Sequence, residues 1–561
     1  MLLILISCIY ISFLCWTWGL ATCNLVERMT RETLSLSFSL TCLMGMVTIT
    51  VLAGIISIWL PLGGLYIQLL FLIPALLIAF QKSTTARFRK HLRNFRQVNK
   101  AVLYFFISAA LLLLIMGSWV IYHPDTLAYH LQLIKWIEEY KVVPGLVHLD
   151  GRYGFQSSWF VSCALFRFNF TNSGALTYIN ITILIWYLLF IITRINYSFF
   201  MKPAHSNRLF WFILVLFNFW GYTQIRLTAT SASPDFIAFI FIGAIFYLLL
   251  STRESRSTAS VWVLILLLTA FTFTIKFSTI PIVIIGFFAL FRLIQLKKLK
   301  LLTITCICSL LIVLPYQARN LITSGYPFYP STFSDFFNVD WKYSTDSAIQ
   351  QEKYVTTYAR TRGGDSAEKI DRILAMSINE WGPTWWSNLS LADKIIIILA
   401  VISILTCLLF IKKIVRSSDA MKVALITALT GTLFWFIKAP DPRFGLGFIM
   451  ILPFLTCLAF TNSFGSASLL RKLALWVLLI SGLSLNIYSA YRIRSYFTPK
   501  QLIQTAGIEK PIFKTVACEG NEYQLGDEDN PCGDAPIPCV YDSCQRFLQR
   551  GKTIREGFRS R

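Results

Sequence analysis

Residues 234–251 read PDFIAFIFIGAIFYLLLS, eighteen residues whose only charge is Asp235 at the second position. A helix of that length rises about 27 Å, close to the roughly 30 Å of hydrocarbon in a bilayer. Both flanks turn polar, with Ser231 and Ser233 before the run and Arg253, Glu254 and Arg256 after it. Such a segment predicts a membrane-spanning helix, because inside lipid only a helix or a closed barrel satisfies its own backbone.

The same pattern recurs along the chain. Apolar runs with charged breaks between them predict about 14 membrane-spanning helices, near residues 2–22, 36–60, 63–80, 101–121, 174–193, 209–227, 234–250, 259–275, 278–293, 301–317, 393–411, 421–438, 444–462 and 472–490. Across the 561 residues, 56% are hydrophobic and only 14% charged. A soluble domain carries about 25% charged residues, so an all-α transmembrane fold is the expectation. Residues 1–20 lack a basic leading region and a small-residue cleavage site, and are read as a span rather than a signal peptide.

A net charge of +23 raises the question of nucleic acid, but the Lys and Arg residues are spread through short loops between spans and form no single stripe. That distribution excludes a nucleic-acid partner and fixes orientation instead. An outside N-terminus places Lys82–Lys100, with seven Lys or Arg, in the cytoplasm, along with the basic breaks at 194–208, 253–256, 297–300 and 412–422. The expected location is the inner (cytoplasmic) membrane of a bacterium. Left on the outer, periplasmic face are 122–173, 226–234, 317–393 and the tail from Tyr491. Three regions result: 1–100 with three spans and the basic loop, 101–490 with the remaining spans and outer loops 122–173 and 317–393, and a small soluble tail, 491–561. Of the thirteen cysteines, Cys518, Cys532, Cys539 and Cys544 crowd this tail, where two disulfides in any of three pairings are open.

The outer loops hold the candidate residues. Residues 122–152 read YHPDTLAYHLQLIKWIEEYKVVPGLVHLDGR. Leu127, Leu131, Ile134 and Ile137 fall on one helical face, with Asp125, Tyr129, Gln132 and Trp136 on another, which predicts an amphipathic helix on the membrane surface. A second surface helix is expected within 153–168. Asp125 reads either as a helix cap or as a carboxylate whose pKa partial desolvation raises into the range of a general base. His123 and His130 read as interfacial hydrogen-bonding groups, with no metal-ligand spacing, so no cofactor is expected and a divalent metal has no motif to support it. Asp235 follows Ser233 and Pro234, a capped helix start. Lys276 lies near the outer end of a span, where it either snorkels to headgroups or meets an anionic phosphate. Residues 319–330, RNLITSGYPFYP, predict a fixed turn that leaves Arg319 and Asn320 at the headgroup zone, and residues 441–444, DPRF, place Arg443 at a span mouth beside Asp441. For both arginines plain contact with lipid phosphate is the alternative.

Residues from about 100 to 495 resemble the C-type glycosyltransferase superfamily, GT-C. The likeness lies in an Asp opening a surface helix in a first long outer loop, a second surface helix, the R-N-x-x-x-S-G-x-P-x-Y-P turn, and a late D-P-R-F. The resemblance implies a multi-pass enzyme with a polyprenyl-phosphate-linked sugar as donor, working among membrane lipids. It implies Asp125 as the base on an acceptor hydroxyl, and Arg319 and Arg443 as holders of the donor phosphate. His123, Tyr129, His130, Arg152, Asp235, Lys276 and Asn320 complete the candidate substrate-binding set. This sequence departs from the pattern in following Asp125 with Thr126 rather than a second acid. A polymerase or ligase of preassembled glycan would share the layout. A transporter or flippase would show inverted repeats and mid-membrane charges, and neither is evident here.

Overall fold

The computed structural model describes residues 1–118, 123–168, 178–197, 231–251, 259–363, 366–460, 498–503, 514–518, 520–527, 531–541 and 546–561, with isolated positions between 476 and 491. It is predominantly helical. In order, α1 is Leu2–Thr30, α2 Phe38–Ile56, α3 Leu65–Ala79, α4 Lys82–Arg96, α5 Lys100–Met116, α6 Leu131–Glu139, α7 Ser158–Leu165, α8 Tyr178–Asn196, α9 Pro234–Ser251 and α10 Ala259–Ile275. Then follow α11, Phe277–Gln295, which opens with a 3₁₀ turn, and α12, Leu299–Ser324. Next come α13 Thr345–Thr361, α14 Ala367–Ala375, α15 Ile378–Asn388, α16 Leu391–Leu409 and α17 Asp419–Lys438. The last, α18, runs Pro442–Ala459.

Nine of these helices, among the described residues, are long and apolar enough to cross a membrane: α1, α2, α8, α9, α11, α12, α16, α17 and α18. The run expected as a span at 63–80 forms the fifteen-residue α3, bent by 83° from the basic α4. The runs at 101–121 and 259–275 form the seventeen-residue α5 and α10. The spans expected at 209–227 and, but for isolated positions, at 472–490 lie outside the described residues.

Among the described residues, the outward faces of several helices are apolar. On α12 the side chains of Ile307, Leu310, Leu311 and Leu314 are half or more exposed, and Ile402, Leu405 and Leu408 of α16 are too. Apolar patches of that extent are untenable in water and are covered by lipid, so the chain is a membrane protein. Inside the bundle, helices meet closely where side chains vanish. A Cβ on Gly19 of α1 would lie 1.9 Å from the Thr41 carbonyl oxygen of α2, and one on Gly45 1.7 Å from that of Cys15. Small residues are what allow such contact between helices in lipid.

The chain alternates between two ends. At one, Glu27 near the end of α1 pairs with Arg87 of α4 at 2.5 Å, and Glu32 accepts from the Ser260 backbone at the start of α10. At the other end gather the starts of α9, α11 and α18 and the ends of α10, α12 and α17, as the ion pairs and the shared cavity described below require. Helices α13 to α15, each opening on a serine cap, lie in the 317–393 loop at that same end.

Two expectations for the first loop change. Its helix does not lie on an open membrane surface: from Leu131 to Glu138 every residue except Lys135 is buried. Its first turn is also not α-helical, since Thr126–His130 winds as a wider π-turn. The segment 153–168 carries the eight-residue α7, too short to span. Helix α6 is buried by the 57–64 connection, by the α7 region through Arg167, and by the tail, whose described residues include two small sheets. Strand β1 (Lys514–Cys518) pairs antiparallel with β2 (Asn521–Leu525), β2 pairs parallel with β3 (Cys539–Val540), and β4 (Phe547–Gln549) pairs antiparallel with β5 (Phe558–Ser560). Cys532 and Cys539 are joined by a disulfide and Cys518 is disulfide-bonded as well, while Cys544 lies outside the described residues.

Candidate functional site

The DPRF sequence explains how one guanidinium is aimed. Asp441 is the N-cap of α18 and accepts from the Arg443 backbone N–H at 3.2 Å, with Pro442 in the first turn, where its missing N–H costs nothing. Arg443 therefore leaves the helix start in a fixed direction. Its Nη1 reaches Asp125 Oδ2 at 2.7 Å, and its Nε lies 3.3 Å from Asp441 Oδ2 and 4.0 Å from Asp235 Oδ2. Three carboxylates thus surround one guanidinium. Asp441 is shared further with Arg362 at 3.1 Å.

Asp235 sits where Ser233 caps α9, its N–H donating to Ser233 Oγ at 3.3 Å, as the sequence suggested. Its carboxylate is also ion-paired with Lys276. Lys276 does not snorkel outward; its ammonium lies 3.6 Å from the centre of the Phe444 ring, over its face.

Asp125 precedes the π-turn but caps nothing, since its carboxylate makes no bond to the turn and instead accepts from Arg443. The turn itself is pinned by Thr126, whose hydroxyl meets His130 Nδ1 at 3.2 Å and Ser231 Oγ at 2.9 Å. The rings of His123 and His130 stack at 6.1 Å, and Tyr129 meets His130 edge-on at 4.4 Å. Burial alone would raise the Asp125 carboxyl, as expected from the sequence, but the Arg443 charge overrides it, helped by His123 and His130, and holds it well below the usual carboxylate range. Burial lowers His130 to about 3 and pushes His123 down too, so both rings are neutral at pH 7.

Of these groups Asp125, Tyr129, His130, Asp235 and Lys276 line a cavity of about 310 Å³, within the size range of small-molecule sites, whereas Arg443, Asp441 and His123 are not on its lining. Its charged lining residues are Asp125, Asp235, Lys276, Glu352 and Lys438, and Glu352 pairs with Lys438 at 3.2 Å. Phe155, Phe160, Tyr316, Phe328 and Phe444 line it as well, with Phe444 directly beneath the Lys276 ammonium. With Arg443 and Arg362, four cations face Asp125, Asp235, Asp441 and Glu352, so the local charge balances. The arrangement suits an amphiphile with an anionic head that exchanges ion pairs on binding. Among the described residues no group of three or more His, Cys, Asp or Glu is placed to hold a metal ion.

Other candidates lie elsewhere. Arg319 and Asn320 are buried at the end of α12 rather than presented to headgroups. Arg319 donates to Ser57 Oγ at 2.8 Å and Gln156 Oε1 at 3.1 Å, and Asn320 to the Tyr316 carbonyl one turn back at 2.9 Å. Neither lines the cavity, although Gln156 does, so Arg319 stands behind its wall. The turn that carries them contributes Phe328, Tyr329 and Pro330 instead. Arg152 pairs with Asp150 at 2.6 Å, lies over the Tyr541 ring at 4.6 Å and stays outside the cavity. Sequence reasoning missed Glu352, Lys438 and Arg362. Glu352 and Arg362 belong to a long loop without motif, and Lys438 reads as an ordinary span end.

No curated protein and no solved structure matches this chain. Residues 1–450, which include every residue of the cavity, match a family described as a domain of unknown function, DUF8201, and the chain belongs to that family.

Proposed function

We propose that the protein is a membrane glycosyltransferase of the GT-C type, with about fourteen spans in a bacterial inner membrane and its cavity on the outer face. It moves a sugar from a polyprenyl-phosphate-linked donor to a glycan, lipid or protein acceptor. The observation that carries this reading is the Asp125 carboxylate at the edge of a cavity lined by both charged and aromatic side chains. A sugar phosphate with an apolar tail combines the same two kinds of surface.

In this mechanism the acceptor oxygen bonds to the anomeric carbon while its proton passes to Asp125. The bond from that carbon to the phosphate oxygen breaks, and the electron pair leaves with the phosphate, stabilised by Arg443 and Lys276. Resting Asp125 is a poor base because Arg443 depresses its pKa. Donor phosphate competes for that guanidinium, and as Arg443 turns toward it Asp125 regains basicity. Donor binding therefore switches on the base. Arg319 supports the wall through Gln156 rather than touching phosphate directly.

The test is a comparison of lipid extracts and surface glycans from cells with and without the gene. Accumulation of a polyprenyl-phosphate-linked sugar with loss of one glycan component supports transfer. Identical lipid and glycan profiles would overturn it.

A further inference from the structure

The family match ends at residue 450, yet the last part of the chain packs against the segment that carries Asp125. Its segment 531–541 is closed into a loop by the Cys532–Cys539 disulfide, and both cysteines are fully buried. This loop grips the segment that carries Asp125. The Gly533 N–H donates to the Leu127 carbonyl at 2.8 Å, and the Tyr541 hydroxyl to the Ala128 carbonyl at 2.7 Å. The same hydroxyl accepts from the Cys532 N–H at 2.9 Å. In return Gln132 Nε2 donates to the carbonyls of Gly533 and Ala535 at 3.1 and 3.0 Å, and Lys135 donates to those of Asp534 and Ala535.

A buried charge cluster anchors the contact. Arg167, just past α7, reaches Glu138 Oε2 at 2.8 Å and Asp534 Oδ1 at 2.5 Å, and Arg167 and Glu138 are sealed from solvent. Removing one member of such a set leaves an uncompensated buried charge, so the cluster holds the loop firmly once formed. The disulfide limits the freedom that the loop would otherwise lose on docking.

The carbonyls of Leu127 and Ala128 are inside the π-turn. A π-turn is rare, occurring mostly as a single-turn bulge in a helix and often at functional sites. Here the tail supplies donors to two of its carbonyls. Were the turn to tighten to α-helical pitch, the residues before it would rotate by about 100° relative to α6, one residue's worth of helical phase. Asp125 immediately precedes it and would swing away from Arg443.

We propose that the disulfide-closed tail loop is a positioning element for Asp125: it holds the π-turn in the winding that aims the carboxylate at Arg443. Tyr541 and Gln132 are the positioning residues, acting through the backbone. This requires only the Asp125–Arg443 pairing and is independent of which reaction the cavity supports.

The test uses the full chain in lipid nanodiscs. Tyr541→Phe removes one hydroxyl without altering ring packing. Gln132→Leu is a second variant on the helix side, for use where the first does not accumulate. Hydrogen exchange at residues 125–131 is expected to accelerate at least about five- to tenfold in each, since each side chain makes two hydrogen bonds and one alone is worth roughly 1 kcal/mol. The infrared titration of the Asp125 carboxyl, isolated by subtracting the matching Asp125→Asn spectrum, is expected to move to higher pH as Arg443 loses contact. Unchanged exchange at 125–131, with or without loosening of 531–541, overturns the proposal. Faster exchange with an unmoved Asp125 titration overturns it as well, because the tail would then stabilise the turn without aiming the carboxylate.

Discussion

Replacing Arg443 by Gln removes the one cation shared by three carboxylates, and the structure sets what that costs. Asp441 keeps Arg362 at 3.1 Å and Asp235 keeps Lys276, so both remain paired. Asp125 loses the one ion pair it makes among the described residues and is left beside the rings of His123 and His130. Breaking a buried pair on one side costs about 3–5 kcal/mol. The Asp125 side chain is 28% exposed and that of Arg443 17%, which places the loss at the low end, about 3 kcal/mol. Asp125→Asn alone leaves Arg443 with two carboxylates and costs about 1 kcal/mol. In the double variant the stranded charge is gone, so the total is expected to fall short of the sum by at least about 1 kcal/mol. Equilibrium unfolding in mixed micelles at pH 7.5 measures all three variants. Additive single effects, within a few tenths of a kcal/mol, would refute the claim that these groups form one coupled site.

Other outcomes follow from the same geometry. His130 is held neutral by burial at a pKa of about 3, with Asp125 and Asp235 pushing it up and His123 and Arg443 pushing it down. Its contribution to stability is full above its ordinary pKa near 6.5 and is lost as pH falls from there toward 3, amounting to about 2 kcal/mol at pH 5. His123 shifts in the same direction. Unfolding measured at pH 8 and pH 5 should show this loss, and His130→Gln should remove most of it; an equal loss in the variant contradicts the assignment. Gly45→Val places a Cβ 1.7 Å from the Cys15 carbonyl oxygen, and folded protein in the membrane should drop to a small fraction of normal, read by detergent-extracted monodisperse yield. Asp534→Asn leaves Arg167 with Glu138 as its only charged partner among the described residues and should cost about 2 kcal/mol or more in the same micelle assay, whereas a change under 0.5 kcal/mol would show that the tail is not anchored by this pair.

Much of the architecture was legible because it depends on composition and local spacing. An uncharged run such as 236–251 has no soluble alternative, and alternation of such runs with basic breaks puts Asp235, Lys276 and Arg443 at one end without further information. The DPRF segment was legible too, since an N-cap followed by proline fixes where Arg443 starts. What was not legible depends on partners far away in sequence. Asp125 and Arg443 are separated by 318 residues, and nothing local reveals that a carboxylate expected to gain a proton more readily is held ionised. Arg319 at the end of a span looks like a headgroup contact until Ser57 and Gln156 are seen to enclose it. The first-loop helix has an amphipathic pattern that fits a membrane surface equally well as it fits the true arrangement, with the tail covering its polar face. The π-turn left no trace in that pattern, because its cause is the docked loop.

Asp125 as the proposed base in glycosyl transfer is tested most directly by Asp125→Asn in the cell, scored for polyprenyl-phosphate-linked sugar and surface glycan at matched protein level in the membrane. The account predicts that the lipid-linked sugar accumulates and the glycan component disappears, with Asp125→Glu restoring part of it. An unchanged glycan at normal protein level would contradict the account and leave Asp125 as no more than a partner for Arg443.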